Sequence, residues 1–453
     1  MSQSSAFKAY DIRGRVPEEL NPGMARAVGA GFATLFVLKD VVIGRDIRPS
    51  GGGLAAALTD GLRSCGVAVH DLGLCGTEEI YFATAHLKVG GGVMITASHN
   101  PPEYNGMKFV TADAKPVSFD TGLEALRDWI GEHPDAGRGP ARGSLSAANT
   151  RLDYTRHLLS LIDPHAIRPM RIVVNAGNGM AGAAFDALAA GLPLDIVRME
   201  HKPDGTFPNG VPNPMLEKNR QVTSEAVRRE HAALGIAWDG DFDRCFIYDE
   251  TGAFIESYYL IGLLAEHFLG EFPGAKIIHD PRLIWNTREI VERLHGIAVE
   301  SRCGHAYIKA RMREENAVYG GEMSGHHYFR GFHYCDSGML PWLLLLEILG
   351  RRGEPLSKLV AEREKRFPIS GEINRKVADA DTALHKVEAA FIGEHPQITR
   401  VDGLSVAFAN WRFNLRKSNT EPLVRLNVET RGDPQLLKAR TAELLKLIGG
   451  ASD

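Results

Sequence analysis

A short apolar run, a helix and a second apolar run recur three times along this chain, and that rhythm narrows its fold more than any other feature. Val41-Val42-Ile43 leads through a loop to the Ala- and Leu-rich stretch Leu54 to Leu62, then to Val67-Ala68-Val69. Ile172-Val173-Val174 leads through the tight turn Gly177-Asn178-Gly179 and a small-residue helix to Leu194-Asp195-Ile196-Val197. Lys276-Ile277-Ile278 leads to a helix around Trp285 to Leu294, then to Ile297-Ala298-Val299. Strands joined through a helix pair in parallel, because the crossover returns the chain to the same end of the sheet. The pattern predicts α/β units with mostly parallel sheets. The tail differs. Leu404 to Phe408, Arg412 to Leu415 and Leu423 to Val428 read as successive strands. Pro434 to Ile448 reads as a helix with Asp433 at its N-cap and Gly449 past its end, which predicts a small α+β domain.

At 453 residues the chain has room for three or four domains. Breaks are expected at the Gly-, Pro- and Arg-rich stretch His133 to Ser146, near the turn Tyr248 to Gly252, and at Phe367-Pro368-Ile369-Ser370-Gly371. Domains are therefore expected at 1–150, 151–250, 251–367 and 368–453. A net charge of −4 offers no electrostatic footprint for nucleic acid or an acidic membrane. Cys65, Cys75, Cys245, Cys303 and Cys335 are widely spread and form no Cys-x-x-Cys pair, which suits reduced thiols in a cytoplasmic protein. Met1 to Ser5 is polar and lacks the apolar segment of a secretory signal. The longest apolar run, Leu343 to Leu346 with its flanks, is broken by Glu347 and falls short of the roughly 20 residues that span a bilayer. No obligatory protein partner is evident.

Four segments carry chemistry. Thr96-Ala97-Ser98-His99-Asn100-Pro101 follows the apolar Val93-Met94-Ile95 and displays a hydroxyl nucleophile just past a strand end. Upstream, Gly90-Gly91-Gly92 reads as a glycine turn feeding that strand. Downstream, Tyr104-Asn105-Gly106-Met107 reads as a turn leading to Lys108. Asp239-Gly240-Asp241-Phe242-Asp243-Arg244 follows the strand Gly235 to Trp238 and alternates three carboxylates. Unit charges about 4 Å apart repel by roughly 4 kcal/mol at an effective dielectric near 20, and a hard divalent cation removes that cost. The residues disfavour a calcium-binding helical hand, since Arg244 stands where its sharp turn needs glycine and Cys245 to Tyr248 continues as a strand.

In Gly320-Gly321-Glu322-Met323-Ser324-Gly325-His326-His327, Glu322 and Ser324 are expected on one face of an extended segment, where they can read neighbouring sugar hydroxyls. Adjacent histidines in such a segment face opposite ways, which argues against a shared metal. Arg416-Lys417-Ser418-Asn419-Thr420-Glu421-Pro422 offers a guanidinium, two hydroxyls and a turn backbone to a phosphate dianion.

Together, Ser-His-Asn-Pro at 98–101, Asp-Gly-Asp-x-Asp-Arg at 239–244, Gly-Glu-Met-Ser-Gly-His at 321–326 and Arg-x-Ser-Asn-Thr at 416–420 resemble the α-D-phosphohexomutase superfamily over essentially the whole chain. Phe7 to Gly14 is similar to the family's opening segment. Met323 and Cys335-Asp336-Ser337-Gly338 look most like its bacterial phosphomannomutase/phosphoglucomutase branch.

The resemblance implies three similar mixed-sheet α/β domains plus a C-terminal α+β domain around a central cleft. It assigns phosphoserine to the first, metal to the second, sugar to the third and phosphate binding to the last. Ser98 would carry phosphate at rest. Asp239, Asp241, Asp243 and a phosphoserine oxygen would hold Mg2+, and Glu322 and Ser324 would bind sugar O3 and O4. Arg416, Ser418, Asn419 and Thr420 would grip the phosphate that is not reacting. Tyr10, Arg13, Lys108, Arg244, His305 and His326 would line the reacting end, with Lys108 and His326 both open as the proton-transfer group. Arg282 stands where some relatives place Lys, and Arg302-Cys303 departs from the Lys and Thr or Ser usual before His305.

The implied reaction converts hexose 6-phosphate, of mannose and also glucose, to hexose 1-phosphate through a hexose 1,6-bisphosphate. Phosphoglucosamine mutase and a non-catalytic sugar-phosphate-binding protein are the alternatives.

Overall fold

The computed structural model describes residues 3–417 and 423–452. In the first of its sheets the order is Ile12–Arg15, Tyr104–Thr111, Gly91–Ile95, Asp40–Arg45, Ala68–Leu74, Leu145–Ala147. Asp40–Arg45 pairs in parallel with both Ala68–Leu74 and Gly91–Ile95, as strands joined through helices must. Tyr104–Thr111 and Ile12–Arg15 then run antiparallel, so the sheet is mixed.

Both faces are covered. Val41, Ile43, Val93 and Ile95 join Phe32, Leu54 and Leu58 in one core. Gly92 faces the other way, where a Cβ would lie 2.2 Å from Thr84 Oγ1 of the helix Thr77–His86. This close approach corrects the glycine-turn expectation, because Gly91 and Gly92 are the first residues of the strand itself. Asn105-Gly106 is also not a turn but the second and third residues of Tyr104–Thr111. A Cβ on Gly106 would sit 2.3 Å from Ile12 O and 2.7 Å from Thr96 O, so glycine is there for close backbone packing.

The second sheet sets Leu234–Trp238 between the parallel Met170–Asn175 and the antiparallel Cys245–Tyr248, with Leu194–Met199 parallel beyond. In the third, Lys276–His279 lies between Ile297–Glu300 and Tyr319–Gly321, all parallel. His327–Phe329 and Cys335–Asp336 form a short antiparallel pair. The fourth is antiparallel, in the order Gln397–Thr399, Leu404–Ala407, Trp411–Lys417, Leu423–Thr430, Ile373–Lys376, Ala451–Ser452. The helix Pro434–Ile448 closes the tail, with the Asp433 carboxylate accepting from Leu436 N as its N-cap.

The chain divides into two compact units, Met1–Phe254 with His326–Gly353, and Ile255–Gly325 with Glu354–Asp453. Several bonds explain why His326–Gly353 joins the first. Trp238 Nε1 donates to Gly338 O at 2.8 Å, and Phe185 packs on Trp342 with ring centroids 5.0 Å apart. Glu78 accepts from Tyr154 OH, Ser337 Oγ and Gly338 N at 2.6, 2.8 and 2.5 Å. The apolar run around Leu343 to Leu346 is a buried helix, Leu340–Arg352. No helix among the described residues is long and apolar enough to cross a membrane. In the second unit, Tyr258 OH and Arg412 both donate to the buried Glu429, which also accepts from Ile284 N at 2.8 Å.

Candidate active site

Ser98 sits three residues beyond the strand Gly91–Ile95 in a left-handed backbone conformation, φ 49°, and is buried rather than displayed. A dense polar frame holds it there. Ser98 N donates to Thr96 Oγ1 at 2.8 Å, and Thr96 Oγ1 donates to Asp46 at 2.7 Å. The buried Arg48 guanidinium donates to four carbonyls of the same loop: Ser98, Asn100, Pro101 and Tyr104, at 2.7, 2.6, 2.6 and 3.0 Å. Ser98 Oγ donates to Asp239 Oδ2 at 2.6 Å and lies 3.0 Å from His99 Nδ1. Gly240 permits this approach, since a Cβ there would lie 2.5 Å from Ser98 O.

Asp239, Asp241 and Asp243 follow the strand Leu234–Trp238, are almost fully buried, and bring ligand oxygens within 4.8 Å of one another. Thr77 Oγ1 donates to Asp241 Oδ2 at 2.5 Å. Lys108 Nζ donates to Asp241 Oδ2 and Asp243 Oδ2 at 2.7 and 2.5 Å. Arg244 Nε lies 3.5 Å from Asp239 and 4.0 Å from Asp243. His326 Nε2 lies 3.5 Å from Asp243 Oδ1 and 3.8 Å from Asp336 Oδ2. Arg13 donates to Asn100 at 2.9 Å and to Asp11 at 2.5 Å.

Burial and then the neighbouring Asp241 and Asp243 push Asp239 up to about 7. Burial acts the same way on Asp243, but Lys108 and His326 override it and hold that carboxyl well below the usual range. Burial likewise opposes the charge on Lys108, and the two aspartates outweigh it and raise its pKa. Asp241 Oδ1 and Asp243 Oδ1 are buried and accept no hydrogen bond among the described residues. Three oxygen-donor side chains, two of them with unspent, desolvated acceptors, suit a hard divalent cation.

The second unit gathers a different set. Glu322 and Ser324 lie beyond the strand Tyr319–Gly321 in a turn closed by Gly325 N donating to Glu322 O at 3.0 Å, which corrects the extended segment expected there. Glu322 accepts from Gly304 N at 3.1 Å and Arg282 Nη2 at 3.3 Å. Arg282 is buried and tied to Asp280 at 2.7 Å. His305 opens the helix His305–Glu315 next to Gly304, so it shares this unit with Glu322, while Lys108, Arg244 and His326 belong to the other. Arg416 ends the buried part of Trp411–Lys417. Ser418, Asn419 and Thr420 lie outside the described residues. Tyr10 is half-buried in the loop before Ile12–Arg15.

Four successive models of one family match the chain: phosphoglucomutase/phosphomannomutase alpha/beta/alpha domains I, II and III at 4–130, 152–252 and 256–367, and its C-terminal domain at 372–447. The chain belongs to the phosphoglucomutase/phosphomannomutase family. Its membership makes it a phosphohexose mutase, an isomerase. It is 55% identical over 448 residues to a protein of Xanthomonas campestris named "phosphohexose mutases", covering 98% of this chain and 99% of that relative. It is 52% identical over 455 residues to a phosphomannomutase of Salmonella montevideo, covering 99% and 100%. A crystal structure of a phosphoglucomutase/phosphomannomutase family protein from Burkholderia thailandensis superposes with a TM-score of 0.88 at 31% identity, covering 100% of this chain and 99% of that one.

The polar frame around Ser98 and the aspartates is wider than the motifs. Asp46, Arg48, Thr77, Glu78 and Asp336 escaped sequence reading. Of these, only Asp336 falls within a recognisable motif, Cys335-Asp336-Ser337-Gly338. The others sit in segments whose local pattern is that of ordinary loops and helix starts.

Proposed function

We propose that this phosphohexose mutase interconverts the 6- and 1-phosphates of mannose and accepts glucose. The observation that carries it is Ser98 Oγ bonded at 2.6 Å to the first of three buried aspartates. Ser98 is the phosphoryl carrier. In the first half-reaction the bond from Ser98 Oγ to phosphorus breaks, and a bond forms from phosphorus to the free sugar hydroxyl. The proton of that hydroxyl passes to a base, Ser98 Oγ leaves and takes up one proton in its place, and the product is the hexose 1,6-bisphosphate. The bisphosphate turns end over end, and its other phosphoryl group returns to Ser98. Such transfer asks mainly for positioning and charge neutralisation.

Asp239, Asp241, Asp243 and phosphorylated Ser98 would hold Mg2+, which supplies Lewis-acid neutralisation of the transferring group when bound. Lys108 directs its three donors at Asp241, Asp243 and Thr77 and serves as a charge clamp. His326 is the group we assign to proton transfer. Arg13, Arg244 and Tyr10 line the reacting end. Glu322 and Ser324 hold O3 and O4, which lie between the two phosphate positions, so one pair serves both orientations. Mannose and glucose differ at C2, which this pair does not read. Arg416, with Ser418, Asn419 and Thr420, grips the other phosphate, and Arg282 and His305 border the sugar.

Coupled assays with mannose 1-phosphate, glucose 1-phosphate and glucosamine 1-phosphate, run beside intact-mass measurement, test this reading. The expected result is turnover of the first two and a phosphoryl mass adduct that Ser98→Ala lacks. A preference for the amino sugar, or turnover without any adduct, would falsify it.

A further inference from the structure

Glu372 stands just past the break at Phe367 to Gly371, and its side chain is 14% exposed. Arg282 Nη1 and Arg416 Nη2 lie 3.3 and 3.5 Å from its Oε2, and Arg425 Nη1 lies 3.5 Å from its Oε1. Guanidinium–carboxylate bonds settle near about 2.7–2.9 Å. Arg282 makes one of that length with Asp280, at 2.7 Å. Its contact with Glu372, and those of the other two arginines, are all longer. Arg282 Nε and Arg416 Nε are also buried with no hydrogen-bond partner among the described residues. One carboxylate with two oxygens is thus shared loosely among three guanidiniums, of which Arg282, also held by Asp280 and Glu322, and Arg416 each keep an unspent buried Nε among the described residues. Such a group has capacity for a second anion with more acceptor oxygens, and a phosphate dianion has them.

We propose that Glu372 is the built-in counter-anion of this phosphate subsite. It holds the three arginines together before substrate arrives. It then weakens phosphate binding by like-charge repulsion, so that the bisphosphate can let go, turn and bind again. This inference rests on the reading that Arg416 grips the non-reacting phosphate. Its rationale is kinetic: affinity common to the resting complex and the transition state does not speed the chemistry, and here it would slow the turn between half-reactions.

The test uses full-length protein carrying Ser98→Ala, which cannot turn over, titrated calorimetrically with glucose 1,6-bisphosphate. Glu372→Gln removes the charge and keeps the shape, and it should bind about tenfold tighter or more. Glu372→Asp draws the charge back from the arginines and should tighten binding by a smaller factor, which keeps the test alive if the Gln variant fails to fold. With Ser98 intact, either variant should lower KM and kcat together. Unchanged or weaker bisphosphate binding in a folded variant overturns the proposal. Arg416→Met separates the two layers. If it leaves binding unchanged, Arg416 holds no phosphate and both readings fall. If it weakens binding while Glu372→Gln does not tighten it, only the counter-anion role falls.

Discussion

Around Ser98, buried carboxylates outnumber the cations among them; around Arg416, three guanidiniums converge on one shared carboxylate. In the first unit, Asp239, Asp241, Asp243 and Asp336 face Lys108, Arg244 and His326. In the second, Arg282, Arg416 and Arg425 share Glu372, and Arg282 also holds Asp280 and Glu322. The first arrangement is short of positive charge and suits a divalent cation. The second converges guanidinium donors whose contacts with Glu372 are long, and it suits a phosphate. Phosphoryl transfer needs both: one place where charge on the moving group is neutralised, and another where the spectator phosphate is held without reacting. The difference predicts that substitutions in the two units damage different kinetic constants.

The sharpest break would come from Ser98→Ala. Turnover should fall by about 10⁴-fold or more, because no other hydroxyl is framed beside Asp239 among the described residues. Hexose-phosphate binding, measured by calorimetry, should survive, since the second unit is untouched. Loss of binding alongside turnover would mean the division of labour is not real. Arg416→Met should do the reverse. It should cost about 10²-fold in kcat/KM, mostly through KM, while the bisphosphate at high concentration still loads phosphate onto Ser98. A pure kcat effect with KM unchanged would place Arg416 in the chemistry instead.

Glu322→Gln is gentler, with about 10- to 100-fold lost from kcat/KM, equally for mannose and glucose phosphates. A loss confined to one sugar would show that Glu322 reads C2 rather than O3 and O4.

Sequence reading reached these two groups to different depths. The β-branched runs marked the three α/β sheets, and Asp433 with Pro434 and Gly449 marked the last helix to the residue. The aspartate loop was legible because three aspartates alternating directly after an apolar strand repel one another unless a cation lies between them. Arg48 was not. Its value lies in four carbonyls that are 50 to 56 residues away in sequence, and nothing in Ile47-Arg48-Pro49 announces them. Asn105-Gly106 misled because the same dipeptide serves a turn or, as here, a close crossing of backbones. Glu372 was invisible for the reason Arg48 was: its partners come from three separate segments.

Glu78 offers the smallest and most specific test, since it extends the carboxylate-rich character of the first unit beyond the aspartate loop. It is fully buried and accepts from four uncharged groups: Tyr154 OH, Ser337 Oγ, Gly338 N and Met339 N. Burial pushes its pKa from 4.5 up to about 8, against the pull of those donors. Between these values the folded protein keeps a proton that the unfolded chain releases, so stability is greatest below about pH 4.5 and is lost as the pH rises toward 8. Glu78→Gln cannot titrate. Denaturant unfolding of both proteins at pH 5.5 and pH 8 should therefore show the wild type losing on the order of a few kcal/mol relative to the variant over that window. An equal gap at both pH values would mean that the four donors keep the carboxylate ionised throughout. The first unit would then stabilise a buried anion by hydrogen bonds alone, and its shortage of cations would be confined to the aspartate loop.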